Sequence, residues 1–591
     1  MKIIAHRGAS LKFQENSIEG FIYAAKSGAY AVECDLRRTA DGQYIIFHDD
    51  DLIRMTGSNK KVTDITLREM EEALKKAGYN LTTLNKLITE YTEKTPILIH
   101  IKVKGADEKL AVMLKNTGID FICGVTDLEA AKAFGKVYPK NRILAFMSCK
   151  EDYPLYLQSG VGIIRLWEHW LSDISVSEVK SSPESPEVWI MAENETTGMN
   201  GSYESLNYFF GLFADGVLID DVELGLLWLE KQDMNYPDIL TKTDGIKINN
   251  PTEWEKLRRV DILNLFEENV YGCRPKQCDG TVNFSKDNDY IHPYSQEMEC
   301  RKITVEVSGY SFPIRLFMPK SLQKPVPVFV YIMHCYQSDK YNIDEAEEMT
   351  FLPIKSIINN GFGLAVLKVA DIANESNQGA KQGVLAAFGS DKDNGWGEIS
   401  AWAWGMSKAA DYLEALDIVD KYNIYAIGHS RGGKAALWAG ATDTRFSLVI
   451  SNNSGCTGAA ISRGKQGETV KDINTTFPNW FCGNYKKYND MEDAMPFDQH
   501  MLLSLIAPRK LYVASATEDL WACPKNELLS CQLASATYEL YGKKGLICKG
   551  NPIPDIAYHD GLIGYHIRTG EHSLTKLDWD MFMRFTKSLR E

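Results

Sequence analysis

The sequence predicts an α/β protein built as two consecutive domains, and three observations carry that expectation. Short apolar runs alternate with amphipathic helical stretches from residue 1 to about 230. A turn-rich break follows. A second alternation then runs to the C-terminus, opening with strands of antiparallel character. The length, 591 residues, suits two large domains better than one.

The runs of the first domain are Lys2–Ala5, Ala31–Leu36, Tyr44–Phe47, Ile97–Ile101, Arg142–Phe146, Gly162–Arg165, Val188–Met191 and Gly216–Ile219. Helical patterns such as Ser17–Ser27, Leu67–Lys76 and Leu128–Val137 lie between them. Strand–helix alternation gives a parallel sheet, and about eight such strands predict a closed (β/α)8 TIM barrel over residues 1–232. Gln232–Pro251 holds Asn-Tyr-Pro, Thr-Asp-Gly and Asn-Asn-Pro, turn chemistry with little apolar content, so 233–251 reads as a linker. Beyond it, Thr252–Val270 reads as an amphipathic helix and Glu299–Pro319 as antiparallel strands. The apolar strands PVFVYIM, FGLAVLKV, YNIYAIG, SLVIS and KLYVASA then alternate with helices, which predicts a sheet that turns parallel within a domain of residues 252–591.

Lys+Arg 65 against Asp+Glu 79 leaves a net charge of −14, which argues against nucleic acid or an anionic membrane as partner. No stretch approaches the roughly 18 apolar residues of a membrane span. The start, MKIIAHRGAS, lacks the apolar core of about 7 to 15 residues that a secretory signal needs. The 12 cysteines are scattered without a CxxC pair. Free thiols in a cytoplasmic protein are therefore expected.

In the second domain, YNIYAIGHSRGGKAALWAG sets Gly428-His429-Ser430-Arg431-Gly432 between an apolar strand and an Ala-rich helix. A tight strand-to-helix turn lifts a serine Oγ above its sheet, and flanking glycines let the backbone come close. The backbone N–H of Arg431 and the positive end of the helix then face a developing oxyanion. This is the nucleophile turn of an α/β-hydrolase domain, in which a triad follows in the order Ser, acid, His. KLYVASA ends in Thr517-Glu518-Asp519; Asp519 is the expected acid and Glu518 the second candidate. In GYHIRTGEHSLTKLDW the expected base is His572, in a Gly-containing loop before the closing helix, with His566 as the alternative.

GHSRGGK, together with WGEISAWAWG, SRGKQGETV, FPNWFCGNY, ASATEDLWACP and IGYHIRTGEHSLT, resembles the glucuronoyl esterases of carbohydrate esterase family fifteen over nearly all of residues 250–591. The resemblance implies cleavage of esters of 4-O-methyl-glucuronic acid. It also implies that the Arg431 side chain joins the oxyanion hole, that Lys434 contacts sugar hydroxyls, and that Glu468 and Trp480 line the uronate site. A Lys and a Glu can read hydroxyls and an indole can pack on a sugar ring. Many members of that family place the acid in a Glu-Ser-Gly run, where this chain has Asn453-Ser454-Gly455. Asn453 cannot balance a charged imidazole, so the role falls to Asp519.

In the first domain, His6-Arg7-Gly8 ends the first strand and Glu15-Asn16-Ser17 opens the first helix. Glu33 and Asp35 are two residues apart and share a strand face. Phe47-His48-Asp49 ends the third run, followed by Leu52 and Arg54. Barrel strand ends converge on the C-terminal face. Two imidazoles, two carboxylates and a guanidinium there suit a phosphodiester: Glu33 and Asp35 hold a divalent metal, Arg7 binds phosphate, and His6 and His48 serve as acid and base. HRGAS…ENS…VECDLRRTADGQYIIFHDDDLIRMTG resembles the glycerophosphodiester phosphodiesterases over most of residues 1–230, and ADGVLIDD is similar to their last barrel strand. The resemblance implies a third metal-binding carboxylate in a strand of the form IEIK, where this chain has Ile99-His100-Ile101-Lys102. His100 can ligate a metal, but it lowers the charge of a site otherwise suited to Ca²⁺ or Mg²⁺.

The expectation is a bifunctional hydrolase: a serine esterase for (4-O-methyl-)glucuronate esters, free or in oligosaccharides, fused to a metal-dependent phosphodiesterase-like barrel. The alternative is an esterase for acetylated sugars whose barrel only binds or scaffolds.

Overall fold

The computed structural model describes every residue except 194–200, 233–235, 321–323, 335–336, 338–339, 346–348, 376–380, 390–391, 465, 549 and 589–591. The chain divides into two compact units, Met1–Met234 and Asn235–Glu591.

In the first unit eight parallel strands close into a barrel: β1 (Lys2–Ala5), β2 (Ala31–Arg38), β3 (Ile97–Ile101), β4 (Phe121–Val125), β5 (Ile143–Ala145), β6 (Ile163–Trp167), β7 (Glu187–Met191) and β8 (Gly216–Ile219). β1 pairs with both β8 and β2, which completes the ring. Tyr44–Phe47, expected as a stave, is not one, and Phe121–Val125, absent from the expected runs, takes that place between β3 and β5. Tyr44–Ile46 pairs antiparallel with the overrunning end of β2, Leu36–Arg38. The connection 39–43 is too short for a parallel crossover, which takes about a dozen residues or more.

Strand alternation sorts the side chains into two layers. Ile3, Val32, Cys34, Ile99 and Leu166 face the surrounding helices, while Ile4, Leu98, Ile122, Leu144, Ile163, Trp189 and Leu218 fill the barrel. Glu33, Asp35, His100, Phe146 and Arg165 are in step with the inner set, so they point inward near the strands' C-terminal ends. α1 (Ile18–Ser27) is capped by the Ser17 hydroxyl, which accepts from the Gly20 N–H, and stops at Gly28 with φ 105°. It lays Phe21, Ala24 and Ala25 against the barrel.

The second unit is built on one large sheet of β9 (Val282–Lys286), β10 (Glu299–Val307), β11 (Tyr310–Met318), β12 (Val326–Met333), β13 (Gly363–Lys368), β14 (Val419–His429), β15 (Phe446–Asn452), β16 (Lys510–Ala516) and β17 (Ile563–Arg568), edged by Ala557–Tyr558. In space the order is β9-β10-β11-β13-β12-β14-β15-β16-β17. β9 to β11 are antiparallel, and from β13 to β17 the strands run parallel. This is the α/β-hydrolase layout. Its centre reads as an unbroken apolar run because both faces are covered: every residue of β12 is buried.

Residues 233–235, where the expected linker begins, lie outside the described residues. The rest of that stretch packs on the second unit. Ile239 and Ile248 are buried. Arg258 donates to the carbonyls of Ile239 and Asp238, and His500 Nε2 donates to that of Pro237. Turn residues bend the segment, and two isoleucines anchor it. Among the described residues no helix is long and apolar enough to cross a membrane.

Candidate functional site

β14 enters the first site and α2 (Arg431–Thr442) leaves it, with Ser430 between them at φ 56° and ψ −125°. That conformation is costly for a residue with a Cβ, so the surroundings must impose it. They do. A Cβ at Gly428 would overlap the Gly432 carbonyl, so only glycine lets the turn close. The Ser430 N–H donates to the Asn452 carbonyl at 2.8 Å, which pins the turn to β15.

Asp519 sits on the loop after β16 and is 5% exposed. Its Oδ2 accepts from His572 Nδ1 (2.6 Å) and Asn453 Nδ2 (2.8 Å), and its Oδ1 from the Ala522 N–H (3.2 Å). Burial alone would raise its pKa; the His572 hydrogen bond and charge, aided by Asn453, hold it below the usual carboxylate value. With Nδ1 committed to Asp519, His572 keeps Nε2 for other work. The ring packs 4.7 Å from that of His429, the residue before Ser430. The other two candidates stand elsewhere. Glu518 is exposed. His566 is fully buried between Asp578 (2.8 Å) and the Tyr512 hydroxyl (3.0 Å), next to α3 (Lys576–Ser588). Asn453 therefore donates to the acid instead of supplying one.

Arg431 pairs through Nη1 with Glu375, and its guanidinium lies 4.9 Å from the Trp480 ring and 5.2 Å from Phe477. Its Nε is buried and makes no hydrogen bond. Trp480 Nε1 donates to the same Glu375 oxygen at 3.1 Å. Trp480 is itself buried and Phe477 stacks on it at 3.7 Å, so a full open indole face for a sugar is not what the structure presents. Lys434 donates to the carbonyls of Ser454 and Cys456 and stands 3.9 Å from Glu468. Sequence reasoning missed Glu375, which no local pattern marks. It also missed His334. The register pairing Ile332 with Gly428 carries that residue to the level of Ser430. His334 is buried, neither ring nitrogen has a hydrogen-bond partner among the described residues, and burial pushes its pKa down to about 3. Its place, just past a central strand where α/β hydrolases in general begin the loop that carries a second oxyanion donor, could have flagged it.

At the barrel's C-terminal end, Glu33, Asp35 and His100 bring one ligand atom each to within 4.8 Å of one another. Asp35 also faces Lys102 Nζ at 2.8 Å and accepts from Asn16 Nδ2 at 3.0 Å. Burial opposes its charge, but His100 and Lys102 outweigh that and hold its pKa low. Glu33 goes the other way: burial, then the charge of Asp35, push it up to about 7. The His100 ring stacks on Phe146 at 3.7 Å, and a Cβ at Gly124 would overlap that phenyl ring, so glycine makes room for the stack. Arg7, at φ 55°, donates its backbone N–H to Glu33 (2.9 Å) and pairs with Glu15 (3.1 Å). His6 Nδ1 bonds Asp220 at 2.7 Å, and His48 Nδ1 bonds Asp49 at 2.7 Å. All six residues expected in this site are brought to one mouth, His48 from the antiparallel excursion rather than from a stave. Asp220 was not singled out, although it lies in the quoted ADGVLIDD run.

Comparison with known proteins agrees with both halves. The family described as "Glucuronyl esterase, fungi" matches residues 302–542, and the "Glycerophosphoryl diester phosphodiesterase family" matches residues 6–159. The chain is 37% identical to the carbohydrate esterase MZ0003 of an unknown prokaryotic organism, over 59% of this chain and 88% of that protein. It is 27% identical to a 4-O-methyl-glucuronoyl methylesterase of Schizophyllum commune, over 52% of this chain and 73% of that protein. Among solved structures, the glucuronoyl esterase from Solibacter usitatus superposes with TM-score 0.55 at 35% identity, covering 60% of this chain and 98% of that one. A promiscuous CE15 esterase from a marine bacterial metagenome gives 0.54 at 35% identity, over 60% and 96%. The chain is a carboxylic-ester hydrolase belonging to the glucuronoyl esterases of carbohydrate esterase family fifteen, and its first unit is a domain of the glycerophosphoryl diester phosphodiesterase family.

Proposed function

We propose that the second unit hydrolyses esters of (4-O-methyl-)glucuronic acid with Ser430 as nucleophile, His572 as base and Asp519 as its orienting acid. The observation that carries this is the Asp519–His572 hydrogen bond set beside a strained Ser430 turn. Ser430 Oγ attacks the ester carbonyl while its proton passes to His572 Nε2; Asp519 accepts the Nδ1–H and offsets the imidazolium charge. The new oxyanion meets the Arg431 backbone N–H at the start of α2 and the unpartnered Arg431 Nε. Collapse expels the alcohol, which takes the proton from His572, and water repeats the cycle to free the uronate. Lys434 and Glu468 stand where they can read sugar hydroxyls. The names of the methylesterase relatives support the substrate. The test is hydrolysis of benzyl or methyl glucuronate by the wild type and Ser430→Ala; equal rates end the assignment.

For the first unit the reading is a metal-dependent phosphodiesterase. Two carboxylates and an imidazole fit a divalent cation, and the raised Glu33 marks a place short of positive charge. Glu33, Asp35 and His100 would hold the ion, expected to be Ca²⁺ or Mg²⁺, which when bound would supply charge to a phosphoryl oxygen. The two histidines are driven apart. Burial lowers the pKa of His6, but Asp220 more than restores it, which suits an acid. Burial keeps His48 below its ordinary value, which suits a base. A diester assay with and without metal decides: turnover that needs no metal, or that survives His6→Ala unchanged, overturns the reading. One observation favours a barrel that binds without turnover. Lys102 already offsets Asp35, and His100 replaces a carboxylate. Metal titration by calorimetry separates the two readings, since a lost metal site gives no heat.

A further inference from the structure

Arg165 is the middle residue of β6 and projects into the barrel in step with Ile163 and Trp167. It is 3% exposed. Its guanidinium lies 4.2 Å from the Trp167 ring, 5.3 Å from Phe146 and 5.6 Å from Trp170. Only Nη2 finds a hydrogen-bond acceptor among the described residues, the Met147 carbonyl at 3.4 Å, while Nε and Nη1 are buried with none. Among the described residues no carboxylate lies within ion-pair distance of it. Glu168, three residues on, accepts from the Ser205 hydroxyl instead.

Two other cations of this mouth already have carboxylate partners: Arg7 pairs with Glu15 and Lys102 with Asp35. Burial pushes the Arg165 pKa down to about 9, with Glu193 the one charge among the described residues that works against it. A buried cation without a partner is strongly destabilising, and folds keep one only where something else meets its charge. Aromatic rings stabilise the face of a guanidinium but cannot satisfy its in-plane N–H groups. The free edge, Nε with Nη1, is the fork that matches two oxygens of a phosphate or carboxylate. Phe146, which lies beside this guanidinium, also stacks on His100, one of the three candidate metal ligands.

We propose that Arg165 is the oxyanion receptor of the barrel, taking two oxygens of a small organic phosphate on the side of the site away from Arg7, with Trp167 and Trp170 as the wall against which the organic part packs. The choice of phosphate over another oxyanion rests on the phosphodiesterase-family reading of this unit; the receptor itself rests on the unpaired fork.

The experiment is calorimetric titration of the full chain, stripped of metal with EDTA, by inorganic phosphate, glycerol 3-phosphate and D-glucuronate. Wild type should bind both phosphates saturably, and Arg165→Gln at least about tenfold more weakly. Arg165→Lys, which keeps the charge but not the fork, should fall between them. Equal affinities in wild type and a normally melting Arg165→Gln overturn the proposal, as does binding of glucuronate alone or no saturable phosphate binding at all. If Arg165→Gln does not fold, unchanged phosphate affinity in Arg165→Lys overturns it. The outcome separates from the phosphodiesterase reading. Phosphate held through Arg165 without any metal-dependent turnover ends that reading and leaves this one. Turnover with phosphate affinity indifferent to Arg165 does the reverse.

Discussion

In the hydrolase unit Asp519, the proposed acid of the triad, accepts from three donors, one of them an imidazole, and its pKa stays low. In the barrel Glu33 and Asp35 lie side by side, one pushed up to about 7 and the other held down by cations. Groups of the protein alone complete the first site. The second is a field of offset charges, with a divalent cation on one side and an anion on the other as its natural complements. The contrast teaches that a covalent mechanism can be preassembled from neutral and paired groups, whereas charge-stabilising chemistry keeps its partners for the ligand.

The largest effect should come from breaking the preassembled side. Asp519→Asn leaves an amide facing His572 Nδ1, which favours the wrong tautomer. Turnover of a glucuronate ester should fall about 1,000- to 10,000-fold, by analogy with the triad acid of serine proteases. Phosphodiester turnover, measured on the same preparation, should not change. Loss of both would mean that the two sites are not independent.

Chelation probes the other side. EDTA should lower diester hydrolysis at least about 100-fold and leave ester hydrolysis within about twofold. An esterase rate that follows the metal would erase the distinction between the sites.

Glu527 tests whether the hydrolase unit really avoids unmet charge. It is fully buried beneath the triad, accepting from the Gly455 N–H (2.9 Å) and the Ser515 hydroxyl (2.6 Å). Burial pushes its pKa from 4.5 up to about 7. The folded state therefore holds a proton that the unfolded chain has released between those values. Stability contributed at low pH is lost as pH rises through that window, roughly 3 kcal/mol in all. Glu527→Gln removes the slope. Thermal melts should show the variant gaining on wild type from pH 5 to pH 8, and a constant difference would show that the carboxyl is met by charge after all.

Much of this was legible in the sequence, and for physical reasons. The nucleophile turn is a local feature: strand, Gly-x-Ser-x-Gly and helix are contiguous, so Ser430 and Arg431 could be placed from the residues alone. Asp519 and His572 follow because chain order is fixed by the fold. Tyr44–Phe47 misled because an apolar run carries no mark of parallel or antiparallel pairing. Phe121–Val125 was passed over because Cys123 and Gly124 dilute its apolar character, although Gly124 is there to admit Phe146. Trp480 was expected to offer a face to sugar, yet Phe477, three residues before it, stacks on that ring. Glu375, His334 and Arg165 were not singled out because burial and missing partners are properties of three-dimensional neighbours.

The smallest effect belongs to a residue that touches no reacting atom. Glu375 accepts from both Arg431 Nη1 and Trp480 Nε1, so it holds the guanidinium whose Nε is proposed to meet the oxyanion. Glu375→Gln keeps the size and one acceptor but removes the charge that holds Arg431. The guanidinium then samples other rotamers, and the oxyanion loses part of one donor. Since that donor acts on the transition state rather than on the bound ester, kcat should fall about tenfold while KM shifts less than about twofold. In an Arg431→Gln background the same substitution should cost nothing further, because two residues acting through one contact are not additive. An equal loss in both backgrounds would show that Glu375 acts on the substrate directly, and the hydrolase site would then share the barrel's habit of leaving charge for the ligand.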